Sequence, residues 1–107
     1  GFQWIDFMDW QQGIISFLRK SRDGHEWMLA CFNFTPIPRH FYRVGVPADG
    51  FWGEALNSDA HCYGGSGVGN WGGLNADPVW SHGHPHSLNM SLPPLGMVCM
   101  KRTFPRE

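Results

Sequence analysis

The chain has 107 residues, 42% hydrophobic and 16% charged, with a formal net charge of −1. That is enough for one thin-cored domain and too apolar for a disordered segment. The near-neutral balance leaves no basic footprint for nucleic acid or an anionic membrane, and no apolar run approaches the roughly 20 residues that span a bilayer.

The chain opens on "GFQWIDFMDW", glycine first and then aromatic, where a natural start is usually polar and mobile. It therefore reads as a piece of a longer protein. Fourteen glycines and eight prolines break the sequence, and no stretch keeps a helical period. Between the breaks lie short strand-like runs. Residues 14–19 ("IISFLR") and 27–34 ("WMLACFNF") form a first pair, joined by the turn-rich "KSRDGHE". The second of these is apolar on both faces: Trp27, Leu29 and Cys31 point one way, and Met28, Ala30, Phe32 and Phe34 the other. Either a loop overlies one side or another domain covers it. Residues 41–46 ("FYRVGV") and 51–56 ("FWGEAL") follow, and Pro47-Ala48-Asp49-Gly50 between them reads as a hairpin loop.

"YGGSGVGNWGG" at 63–73 contains Gly67-x-Gly69-x-x-Gly72, the spacing of a dinucleotide-binding turn. That fingerprint needs a helix immediately after it, with the pyrophosphate at its N-terminus. Gly73 and Pro78 stand where the helix would run, so the match is accidental. Glycine here serves a long connection that turns sharply and lies flat, pinned by Tyr63, Ser66 and Asn70. Last come 87–92 ("SLNMSL"), with Leu88, Met90 and Leu92 on one face, and 96–101 ("GMVCMK") after Pro93-Pro94. Short strands without helices predict an antiparallel sandwich or barrel.

Cys31, Cys62 and Cys99 are odd in number and widely spaced, which suits free thiols in a reducing compartment. In "SHGHPHS" the alternating His82, His84 and His86 could offer three nitrogens to zinc, but Gly83 and Pro85 interrupt any regular strand, and a loop is expected. Asp6 with Asp9, or Glu54 with Asp59, could be proposed as an acid/base pair; nothing in their spacing demands it. Among the six tryptophans, Trp27 and Trp52 lie in strands and should be core. Trp71, beside Asn70, and Trp80 could stand out as flat platforms for sugar rings, or fold back over the sandwich.

Several longer motifs carry a resemblance. "NFTPIPRHFYRVGVP" at 33–47, "LNSD" at 56–59, "YGGSGVGN" at 63–70 and "PHSLNMSLPPL" at 85–95 closely resemble the C-terminal domain of bacterial 1,4-α-glucan (glycogen) branching enzymes, in the α-amylase superfamily. The match runs through essentially the whole chain. It departs at His84, where the family commonly has Arg, at His86, where it has Tyr, and across residues 71–82, whose path is uncertain. The resemblance implies an all-β, antiparallel β-sandwich of Greek-key type over residues 1–107, with 1–12 leading in from a catalytic (β/α)8 barrel. Phe2, Trp4 and Trp10 would then pack at the domain interface. It implies a cytoplasmic parent enzyme acting on glycogen or amylose, with its carboxylates on the barrel. In this chain it implies no catalytic residue, no metal and no cofactor. Direct α-glucan contact is expected, if anywhere, at Asn70, Trp71 and Trp80. A stand-alone carbohydrate-binding module and the C-terminal domain of a trehalohydrolase are the alternatives.

Overall fold

A computed structural model describes residues 7–21, 24–57 and 72–103. Among these residues eight strands run in chain order: β1 (Phe7–Asp9), β2 (Ile14–Lys20), β3 (Glu26–Asn33), β4 (Arg39–Val46), β5 (Phe51–Asn57), β6 (Gly73–Asn75), β7 (His86–Leu92) and β8 (Gly96–Thr103). There is no helix among the described residues. All six sequence-predicted runs are strands. The two that went unpredicted, β1 and β6, are three residues long and too short to show alternation.

The strands form a six-stranded sheet in the order β1-β2-β3-β8-β5-β6 and a two-stranded sheet of β4 and β7, all paired antiparallel. The period-two pattern decides what each sheet buries. From the large sheet Ile14, Leu18, Leu29, Cys31, Trp52, Val98 and Met100 face inward; from the small one come Val44, Val46, Leu88, Met90 and Leu92. Burying each such side chain contributes about 1.5–3 kcal/mol, so a core of this size carries most of the stability of a small domain. Trp52 is the largest fully buried side chain, and its indole N–H donates to the Ala48 carbonyl at 3.2 Å. Trp27 lies at the margin of the core, half-buried, with the Lys20 ammonium 5.4 Å from its ring.

The outer side of β3 is apolar as the sequence predicts. Its side chains cover one another: Phe17 of β2 meets Phe32 edge to face at 5.6 Å, and Phe34 stacks on Phe32 at 6.0 Å. Buried Asn33 ends the strand by organising the next turn. Its side-chain oxygen accepts from the Thr35 amide and hydroxyl, and its Nδ2 donates to the Ile37 carbonyl at 2.8 Å.

One expectation fails. Pro47–Gly50 does not close a hairpin, because β4 and β5 belong to different sheets. Val46 and Trp52 both face the core, but from opposite sides of it, and alternation cannot distinguish that from pairing in one sheet. The corner is instead held by β8, whose Arg102 Nε donates to the Asp49 carbonyl at 2.6 Å.

Candidate functional site

At one corner of the sandwich the β1–β2 turn and β4 enclose a polar hollow of about 470 Å³. The turn is built by Asp9. Its Oδ1 accepts from the Gln12 amide at 3.2 Å and its Oδ2 from the Gln12 side chain at 3.0 Å. Tyr42 on β4 donates its hydroxyl to the same Oδ2 at 2.9 Å, tying the two sheets together. Burial, reinforced by the adjacent Asp9 carboxylate, holds that phenol well above its ordinary pKa. Arg39 reaches across to the Gln12 carbonyl at 3.2 Å, while its buried Nε has no partner.

β4 reaches this corner through a bulge. Its register with β7 shifts between Arg39 and Tyr42, so His40 and Phe41 leave the regular ladder. Phe41 has φ of 60° and is 80% exposed. For a bulky side chain that is a conformational outlier, and no burial offsets it. On the other flank, residues 81–84 form a tight turn closed by reciprocal Ser81–His84 backbone bonds. The turn sits directly on Gly45, where any Cβ would collide with the Ser81 carbonyl. His82 has φ of 48°, its Nδ1 accepts from the Gly45 amide at 3.4 Å, and its ring lies 6.3 Å from that of Tyr42. Arg43, beyond Tyr42, is fixed by Asp77 at 3.2 Å and the Ser87 hydroxyl at 2.7 Å.

Of the sequence-predicted residues, Trp80 stands out at 71% exposed, just before the 81–84 turn, and Trp10 at 77% in the β1–β2 turn. Phe2, Trp4, Asn70 and Trp71 lie outside the described residues, as do Asp6, Asp59, Cys62 and the pinned glycine loop. Gly72 leads into β6, a strand, which agrees with rejecting the dinucleotide turn. His82 and His84 belong to the turn and His86 to β7, so the three are not a regular row. Among the described residues no three His, Cys, Asp or Glu side chains cluster as a metal set. Cys31 and Cys99 are buried free thiols, and burial pushes Cys99 upward in pKa. Of the path of 71–82, uncertain in the sequence, residue 71 lies outside the described residues and the rest runs through β6 beside β5 and then a bridge from Asp77 to Ser87. Sequence reasoning missed the hollow. The available signal was "RHFYR", where adjacent aromatics on a strand cannot both enter one core.

The comparisons with known proteins agree with this architecture. The family described as "Alpha amylase, C-terminal all-beta domain" matches residues 4–103. Relatives named 1,4-alpha-glucan branching enzyme GlgB include that of Aquifex aeolicus, 52% identical over 94% of this chain and 16% of the relative. The protein of that name from Aromatoleum aromaticum is 56% identical over 92% of this chain and 15% of its own length. That of Rubrobacter xylanophilus is 50% identical over 94% and 14%. The chain thus spans about a sixth or less of these relatives. It belongs to the alpha amylase C-terminal all-beta domain family.

Proposed function

We propose that this chain is the non-catalytic C-terminal domain of a 1,4-α-glucan branching enzyme, one that cleaves an α-1,4 linkage and rejoins the released chain at a 6-hydroxyl. The observation that carries the reading is that relatives with that name match nearly all of this chain with a small part of themselves. Retaining glycosyl transfer needs two carboxyl groups about 5–5.5 Å apart, one nucleophile and one acid/base. At the hollow, Asp9 instead has both oxygens engaged by Gln12 and Tyr42, as a structural anchor does. Chemistry therefore falls to the rest of the parent.

The domain's part is to support the (β/α)8 barrel of a cytoplasmic parent and to help guide glycogen or amylose chains. The leading segment with Phe2, Trp4 and exposed Trp10, together with the apolar outer side of β3, would meet the barrel. Asn70, Trp71 and exposed Trp80 would contact glucan. No helix among the described residues is long and apolar enough to cross a membrane.

Two measurements test the assignment. DNA upstream of the Gly1 codon should encode a barrel in the same reading frame; a stop codon followed by a ribosome-binding site there would sink it. Incubated with amylose, the 107-residue chain should leave the iodine complex unchanged, while the longer product of that frame should weaken its colour. Branching by the purified short chain would overturn the division of labour.

A further inference from the structure

We propose that the hollow between the β1–β2 turn and the β4 bulge is a saccharide subsite, taking a glucosyl unit of an α-1,4-glucan against the face of Phe41. The choice of glucan rests on the branching-enzyme reading above; the choice of a sugar rests on the hollow itself.

Its volume, about 470 Å³, lies within the roughly 300–1,000 Å³ typical of small-molecule sites. A hexose presents two kinds of surface: a ring of hydroxyls that each donate and accept, and C–H faces that pack on flat aromatic rings. The hollow offers both complements. Asp9 accepts three hydrogen bonds, and a carboxylate has about four acceptor positions, so capacity remains. Arg39 also lines the wall, its guanidinium held in place by the Gln12 carbonyl. Gln12 and His40 add further hydroxyl partners on the rim. Phe41, 80% exposed, supplies the apolar face.

Charge argues for a neutral ligand. The lining contains Asp9 as well as Arg39, and Arg43 is matched by Asp77, so the wall carries no surplus positive charge to hold a phosphate. Strain points the same way. Of the three non-glycine residues with positive φ among the described residues, Phe41 and His82 both line this one hollow. Packing does not account for Phe41, whose ring lies in solvent; a ligand stacked on it would.

The test is an amide NMR titration of the chain with maltoheptaose, with cellohexaose and inorganic phosphate as controls. Maltoheptaose should shift the amides of Gln12, His40, Phe41 and His82. Phe41→Ala should weaken that binding about tenfold, the loss expected for one stacked ring, while the rest of the spectrum stays in place. Gln12→Ala, which alters a rim residue without touching the core, should weaken it as well. Unmoved amides, perturbation confined to other regions, unchanged affinity in both variants, or equal response to phosphate would each refute the subsite, and equal response to cellohexaose would refute its assignment to an α-1,4-glucan. Such a failure leaves the parent reading standing, because that depends on the upstream frame and its branching activity.

Discussion

β3 and β4 each have eight residues, yet only β3 keeps its ladder intact from end to end. β3 sits in the middle of the large sheet, paired on both sides, and its buried positions fall at Leu29, Cys31 and Asn33 without interruption. Among the described strands β4 pairs only with β7, slips register between Arg39 and Tyr42, and carries Phe41 at positive φ in solvent. A strand with two neighbours has its conformation dictated by both ladders. One with a single neighbour can leave the ladder locally, and that freedom is what shapes a cavity. The large sheet concentrates stability, and the small one offers irregular backbone and polar side chains at its corner.

The comparison predicts very unequal responses to mutation. The largest effect should come from Trp52→Ala in the large sheet, a loss of about 3–5 kcal/mol against a total near 5–15. Trp80→Ala, at an exposed site, should change stability by less than about 0.5 kcal/mol. Urea unfolding of the two variants would test the contrast; similar midpoints would dissolve it. Next, Gly45→Ala should cost about 1–3 kcal/mol, because the new methyl meets the Ser81 carbonyl. Its amide spectrum should change chiefly over 81–84. Change spread across β3 and β8 would mean that the two sheets are more tightly coupled than this account holds.

Tyr42→Phe removes the link to Asp9 and should cost about 1–2 kcal/mol near neutral pH. The folded-state pKa of Tyr42 is raised above its ordinary value of 10.0, so the folded state favours the neutral phenol. Its contribution is complete below about pH 10 and is lost as pH rises beyond it. The unfolding free energy of the unmodified chain should therefore fall more steeply than that of Tyr42→Phe between about pH 9 and pH 11. Parallel curves would show that burial and Asp9 do not hold the phenol neutral in the folded state. The one expected gain is Phe41→Gly. Relief of the left-handed strain, about 1–2 kcal/mol, is partly offset by the entropy of glycine in the unfolded chain. A net gain of roughly 0.5–1 kcal/mol is expected in thermal unfolding. A loss would show that Phe41 contributes packing.

How much of this was readable in the sequence follows the same division. Alternation in "SLNMSL" gave Leu88, Met90 and Leu92, all fully buried, and the run at 27–34 was legible as a strand apolar on both faces, though its place in the middle of the large sheet was not. The Trp52 assignment also held, since a large aromatic between apolar neighbours in a strand has few other places to go. What alternation cannot carry is the partner. It shows which side of a strand is inward, not which sheet lies across the core, and so Pro47–Gly50 looked like a hairpin. The hollow was hidden for a related reason. Asp9, Tyr42 and His82 come from three separate segments, and the bulge that joins them is a property of the β4–β7 pairing.

The neighbours in the middle of the large sheet have a consequence for the order of events in synthesis. β3 pairs along its full length with β8, Leu29 opposite Met100, so the central ladder joins an early strand to the last one described. Closing so long a loop is entropically costly, and topologies dominated by such pairings fold in milliseconds to seconds. Until β8 has left the ribosome, β3 has an open edge and the inward side chains of β2 and β3 lack much of their core. A nascent chain stalled before Gly96 should therefore be protease-sensitive across β2 and β3, and release of the eight-residue β8 should protect both strands in one step.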